Sequence, residues 1–86
     1  NFTTPFTSLI YPYHPGDMLY LFSDGYPDQF GGPENKKFRY KQFQDLLLSI
    51  HNDALEKQCE TLHRTFFNWK GDEEQVDDIL IFGIRL

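Results

Sequence analysis

Residues 16–25 read GDMLYLFSDG, and this stretch decides the fold. Its centre, Met18–Phe22, is an uninterrupted apolar run bounded by turn residues, as is typical of a strand that is covered on both faces. The run predicts the central strand of a sheet. Ser23, Asp24 and Gly25 follow it directly and predict a change of chain direction, which places a carboxylate at the end of that strand.

The segments on either side of the predicted strand carry weaker signals. Thr3–Pro15 mixes prolines with apolar residues and predicts an irregular edge strand followed by a turn. Tyr26–Lys37 contains prolines, glycines and polar residues without a sustained period, which predicts a surface loop. Within this loop, Asp28 either closes the turn at Tyr26 and Pro27 or supports the residues of a functional site without binding a ligand itself. The sequence leaves both interpretations open.

Two helices are predicted after the loop. Apolar residues recur at spacings of three and four over Arg39–Ile50, which predicts a helix with one apolar face. Asp53 and Glu56 predict a capping box at the start of a second helix, and Gly71 its end. On the second helix Cys59 is predicted to be a buried, unreactive thiol. It belongs to an apolar seam that repeats at four and three: Leu55, Cys59, Leu62, Phe66 and Trp69.

A second apolar run, Ile79–Leu86, predicts another buried strand after an acidic loop. If the two strands are antiparallel neighbours, Asp24 at the end of one and Asp77 and Asp78 before the other lie at the same sheet edge. Carboxylates held on rigid strand ends suit a hard divalent cation. Each motif alone is more typical of a turn or a solvated acidic pair, and only their pairing favours a metal site.

The composition restricts the partners of the chain. Its 86 residues, 40% of them hydrophobic, predict one compact unit. A formal net charge of -5 opposes binding to nucleic acid or to an anionic membrane surface. One cysteine excludes an intrachain disulfide and favours a reducing compartment, the cytoplasm. The apolar runs are far shorter than a membrane helix, so any membrane anchor of a longer parent protein is expected in another segment.

Together the two motifs resemble the last two conserved blocks of the metal-dependent protein serine/threonine phosphatases, most closely their bacterial SpoIIE-like branch. Gly16–Gly25 is similar to the G-D-x-(apolar)-S-D-G element of that family, and Gln75–Ile81 to its Asp-Asp or Asp-Asn pair before the final strand. The resemblance implies an α+β fold, part of an α/β/β/α sandwich in which antiparallel strands flank a two-helix insertion. It also implies two manganese or magnesium ions and hydrolysis of phosphoserine or phosphothreonine by a metal-activated water.

Carried over residue by residue, the resemblance implies that Asp24 and Asp77 are metal ligands. It implies that Gly25 and Asp78 belong to the same metal site, in which Gly25 completes the turn at Asp24 and Asp78 occupies a position that is Asp or Asn in relatives. The family's earlier motifs, including the aspartate that bridges the two metals, have no counterpart here. Residues 1–86 are therefore expected to be the C-terminal half of a phosphatase domain, without a complete active site.

The same resemblance predicts the partners. They are the missing N-terminal half, an upstream sensor domain and a phosphoprotein substrate in bacterial signal transduction.

Leu80 stands where the family often has threonine, which removes one hydroxyl from the site edge. The alternative is a noncatalytic interaction module with a degenerate phosphatase fold. A third expectation is self-association, which would cover the sheet face that the missing half leaves open.

Overall fold

A computed structural model describes residues 6–10, 15–75 and 77–86 of the chain. In these ranges a sheet and a pair of helices enclose one core, and a short hairpin precedes the helices. The elements in chain order are β1 Phe6–Ile10, β2 Met18–Ser23, β3 Phe30–Gly31, β4 Lys36–Lys37, α1 Tyr40–Ile50, α2 Leu55–Lys70 and β5 Ile81–Arg85.

Strand β2 lies at the centre of a three-stranded sheet with the order β1-β2-β5, and it is antiparallel to both neighbours. On the β5 side, Phe22 is opposite Ile81. The predicted central strand and its antiparallel pairing with the last strand are thus confirmed. The predicted edge strand within Thr3–Pro15 is confirmed as β1, whereas positions 1–5 and 11–14 of the chain lie outside the described residues. Strands β3 and β4 form the separate hairpin.

One face of the sheet carries the core. Met18, Tyr20 and Phe22 alternate along β2 and are buried, as the pleat requires of residues on one face. Both helices pack here, since the ring of Phe22 lies 4.8 Å from that of Phe43 on α1. The Tyr20 hydroxyl donates to Gln58 Oε1 on α2 at 2.6 Å. Burial raises the pKa of Tyr20 to about 12, so this hydroxyl remains a neutral donor.

The opposite face of the sheet is open. Leu19 and Leu21 of β2 are half-buried there, opposite Ile84 and Phe82 of β5. Along β5 and its flanks, alternate apolar side chains are between 42% and 54% exposed: Leu80, Phe82, Ile84 and Leu86. The predicted burial of β2 on both faces, and of the second strand, is therefore wrong within the described residues. The apolar run of β5 therefore forms a largely exposed apolar face in the described part of the chain.

The segment predicted to be a surface loop is buried at its start. Tyr26 is 2% exposed, and its ring lies between 4.8 and 5.3 Å from the rings of Phe38, Phe43 and Phe66. Its hydroxyl donates to the carbonyl oxygen of Leu62 at 2.7 Å. The prediction is wrong here because an aromatic ring gains more from packing among other rings than from solvent, provided that its hydroxyl finds an acceptor.

Both helices follow the apolar spacing, with corrections at their ends. Helix α1 starts at Tyr40, one residue later than predicted, and α2 ends before Gly71, whose φ of 53° is left-handed. The predicted capping box is wrong, because Ala54 is the N-cap of α2 and no side chain caps it. The Asp53 carbonyl instead accepts hydrogen bonds from the side chains of Gln58, at 2.9 Å, and Arg85, at 2.7 Å. Among the described residues, no helix has the length and hydropathy needed to span a membrane.

Cys59 is exposed, so its predicted burial is wrong. The buried residues of α2 are Gln58, Leu62 and Phe66, because Gln58 occupies the position that faces Tyr20. Leu55 and Cys59 of the predicted seam line a groove of about 500 Å³ between α2 and β5. Its walls include Leu55, Cys59, Phe67 and Ile81.

Arg39, the N-cap of α1, has a φ of 78° and a ψ of 155°, a region that glycine occupies almost exclusively. Its amide donates to the carbonyl oxygen of Pro27 at 2.7 Å, which holds this conformation. We expect Arg39→Gly to raise the free energy of unfolding by about 1 kcal/mol, because relief of strain outweighs the greater chain entropy of glycine. Urea unfolding measures this change. Arg39→Ala retains a Cβ atom and should not stabilise the chain, and equal stabilisation by both substitutions would contradict the strain.

Candidate functional site

The candidate site lies at the edge of the sheet where β2 ends and the chain enters β5. The amide of Ser23 donates to the carbonyl oxygen of Leu80 at 2.9 Å, which continues the ladder past the last paired strand residues. Asp24 follows this point on one strand, and Asp77 and Asp78 precede it on the other. The structure thus places the three sequence-predicted carboxylates at one sheet edge, and all three residues are exposed.

Gly25 is required by a close approach of two backbones. A Cβ atom at this position would lie 2.3 Å from the carbonyl oxygen of Asp78 and 3.0 Å from its carbonyl carbon. Backbone atoms cannot rotate away as the end of a side chain can, so any larger residue must separate the two segments. Gly25 is therefore the position at which the turn after β2 touches the aspartate pair.

Ser23 forms a second link between the two segments, which sequence reasoning missed. Its hydroxyl donates to the carbonyl oxygen of Asp78 at 3.0 Å and accepts from the amide of Leu80, also at 3.0 Å. One side chain thus satisfies both a donor and an acceptor of the segment that leads into β5. The signal that identifies it is positional: an antiparallel pairing places the first residue after the apolar run opposite the segment that follows the aspartates.

Tyr40 also contacts the site and was also missed. Its hydroxyl donates a hydrogen bond to Oδ1 of Asp24. Its ring lies 6.2 Å from that of Phe22, which precedes Asp24 by two residues. No local pattern in the sequence relates these residues, because the contact depends on how the loop before α1 returns to the end of β2.

Asp28 closes a turn at the site. Its amide donates to the carbonyl oxygen of Asp24 at 3.0 Å, and its carboxylate lies 3.8 Å from Nζ of Lys37. The carboxylate is thus engaged with a half-exposed lysine of the β3–β4 hairpin. Of the two interpretations open for Asp28, the turn is the one that these contacts support.

The donor atoms at this edge match a divalent metal in kind but not in number. Carboxylate and carbonyl oxygens are the ligands that magnesium prefers, and manganese accepts the same set. In the ranges that the structure describes, however, no group of three His, Cys, Asp or Glu side chains gathers closely enough to hold an ion. Among the described residues, Asp24 and Asp77 are thus exposed carboxylates at this edge that belong to no such group.

Comparison with known proteins adds two findings. The family model described as Stage II sporulation protein E (SpoIIE) matches residues 3–86. Among solved structures, the SiaA-PP2C domain of Pseudomonas aeruginosa is similar, with a TM-score of 0.77 and 33% sequence identity. That match covers 80% of this chain and 28% of the other, so the chain spans well under half of that structure. No curated protein matches at a significant level.

Proposed function

The chain belongs to the SpoIIE family of protein phosphatases of the PPM type, and from this membership we propose that it supplies part of a metal-dependent phosphatase site. The proposed reaction is hydrolysis of phosphoserine or phosphothreonine in a regulatory protein of bacterial signal transduction. The observation that carries the proposal is the pairing of β2 with β5, which sets Asp24 and the Asp77–Asp78 pair at one edge. The direct contact of Gly25 with the Asp78 carbonyl supports it.

The residues at this edge have two different roles in the proposed site, metal binding and maintenance of the backbone contact. Asp24 and Asp77 would hold manganese or magnesium through their carboxylates, while Gly25 and Ser23 keep the two segments together at the backbone of Asp78. When bound, the metal ions would supply an activated water and neutralise charge on the phosphoryl oxygens. The exposure of both aspartates gives a phosphorylated side chain access from solvent.

Further ligands must come from another segment, which we propose is the N-terminal half of the same domain. Two observations support this partner. The related phosphatase structure contains far more chain than the part that matches here, and the described residues offer no set of three ligands. The open sheet face, with Leu80, Phe82 and Ile84 exposed, is an apolar surface that a second sheet would cover. A sensor domain preceding that half, and a cytoplasmic location, complete the proposal.

The 86-residue chain alone is expected to show no manganese-dependent hydrolysis of p-nitrophenyl phosphate, because its ligand set is incomplete. Joined to the segment that precedes it in its gene, the chain should hydrolyse this substrate. The joined protein without manganese is the control. Hydrolysis by the isolated chain would contradict the incomplete site.

The same preparations separate the competing interpretations. A joined protein that is folded and inactive would favour the noncatalytic interaction module. Sedimentation velocity on the isolated chain tests self-association through the open sheet face. A dimer would mean that a second copy can cover that face, whereas a monomer removes the idea.

A further inference from the structure

Tyr40, the first residue of α1, contacts the proposed metal ligand directly. Its hydroxyl is the donor and Oδ1 of Asp24 the acceptor. The contact joins the helical layer to the end of β2, and the ring of Phe22 lies 6.2 Å from that of Tyr40, beside the same junction. Asp24 is exposed, so this bond is a restraint on a carboxylate that solvent would otherwise leave free to change rotamer.

Backbone hydrogen bonds determine where Tyr40 lies. The amide of Asp28 donates to the carbonyl oxygen of Asp24 at 3.0 Å, which turns the chain at the end of β2. The amide of Arg39 donates to the carbonyl oxygen of Pro27 at 2.7 Å, which ties the end of the loop to its start. These two bonds return the start of α1 to Asp24. The position of the hydroxyl is therefore set by the backbone as well as by side-chain rotation.

The residue before Tyr40 is strained. Arg39 has a φ of 78° and a ψ of 155°, a region that non-glycine residues rarely occupy. Such a conformation persists only where the surroundings determine it, and it is found preferentially at functional sites. Here the strain lies in the residue that aims the first turn of α1 at Asp24.

We infer that Tyr40 is a positioning residue, which holds Oδ1 of Asp24 and so restricts the rotamers in which this carboxylate would bind a metal ion; this rests on the proposed function. A hydrogen bond to an ionised carboxylate is about twice as strong as one between neutral groups. Removal of an outer hydrogen-bond partner of a metal ligand typically weakens metal affinity about 10- to 100-fold. The role needs the phenolic hydroxyl and not the ring.

The test is the affinity of the joined protein for Mn²⁺ alone, without a phosphorylated substrate. It is measured from the electron paramagnetic resonance signal of free Mn²⁺. Tyr40→Phe is expected to raise the dissociation constant about 10-fold or more. The melting temperature without metal should fall less than that of Tyr20→Phe, because water can replace the hydroxyl at the exposed Asp24 and phenylalanine retains the ring beside Phe22. Phosphatase activity should also fall at low Mn²⁺ and return at high Mn²⁺. The kcat of the metal-loaded protein depends on Asp24, and the Tyr40 hydroxyl only orients that carboxylate.

Tyr20→Phe is the matched control, because it removes the same group from a position away from the aspartates. The Tyr20 hydroxyl donates to the buried side chain of Gln58, so its loss should lower the melting temperature and leave Mn²⁺ affinity unchanged. Asp24→Asn is the second reference, and it should weaken Mn²⁺ binding more than Tyr40→Phe does.

The binding constants of these variants distinguish failure of the positioning role from failure of the proposed site. If Asp24→Asn loses Mn²⁺ binding and Tyr40→Phe binds as the wild type does, the positioning role is overturned and the proposed function stands. If Tyr40→Phe binds Mn²⁺ more tightly, the hydroxyl competes with the metal, which also overturns the inference. If Asp24→Asn binds Mn²⁺ normally, the proposed site itself fails, and the role of Tyr40 fails with it.

Discussion

Asp77→Asn is expected to lower the manganese-dependent phosphatase activity of the joined protein by more than about 100-fold. Loss of a residue that only hydrogen-bonds a metal ligand lowers activity by up to about 100-fold, and loss of the ligand itself should cost more. Asparagine retains the size of the side chain but removes the charge that binds a hard cation. The substitution leaves the backbone contacts of the neighbouring Asp78 carbonyl with Ser23 and Gly25 intact. The loss should therefore occur without a change in the unfolding transition measured by circular dichroism.

Asp78→Asn provides the matched comparison, since it removes the same charge one residue away. The family resemblance allows Asp or Asn at this position, and the structure shows the Asp78 carbonyl, not its carboxylate, in contact with Ser23. Its loss of activity should be smaller than that of Asp77→Asn. Asp72→Asn, in the exposed loop after α2, should retain activity. Equal losses for Asp77 and Asp78 would mean that net charge, and not ligation by Asp77, determines the effect.

The location of the candidate site is predictable from sequence because it depends on two contiguous apolar runs. Met18–Phe22 is bounded by turn residues on both sides, and the run that becomes β5 follows an acidic loop, so the two strand ends that meet at the site are clear. An antiparallel pairing then requires Asp24 to meet the Asp77–Asp78 pair. The observed register, with Phe22 opposite Ile81, brings Asp24 and the Asp77–Asp78 pair to the same end of the two strands.

Contacts within the site could not be predicted in the same way. The hydrogen bond from Tyr40 to Asp24 follows a residue with strained backbone, Arg39. A positive φ at an arginine cannot be predicted from its residue type. Ser23 was within reach of sequence reasoning, because its position opposite Leu80 follows from the pairing alone.

The predicted burial is wrong at positions where a polar side chain is buried or where the covering segment is not known, because the apolar pattern considers only apolar residues. On α2, Gln58 takes a buried position because its side chain satisfies both the Tyr20 hydroxyl and the Asp53 carbonyl, and Cys59 is displaced to the surface. On β5, the apolar run predicts that another segment covers the strand but does not identify that segment. In the structure Phe82 is 54% exposed.

Gly25→Ala should prevent metal binding while also destabilising the fold. The added Cβ would lie 2.3 Å from the carbonyl oxygen of Asp78, and relief requires the turn after β2 to move away from that backbone. This movement breaks the 3.0 Å bond from the Ser23 hydroxyl to the same oxygen. Overpacking of this kind typically costs about 1–3 kcal/mol. We expect a loss of that size in urea unfolding, together with a loss of Mn²⁺ binding by the molecules that remain folded.

Gly31→Ala separates the two effects, because it introduces a tighter clash away from the aspartates. Its Cβ would lie 1.9 Å from the carbonyl oxygen of Trp69, near the end of α2, so the loss of stability should be at least as large as that of Gly25→Ala. Below its unfolding transition, however, the variant should bind Mn²⁺ with wild-type affinity, since the contact of Gly25 with Asp78 is unchanged. Destabilised but Mn²⁺-binding Gly25→Ala protein would show that this glycine serves packing alone. Loss of binding in both variants would instead mean that the site depends on the stability of the whole sheet-and-helix layer, and not on the local approach of the two backbones.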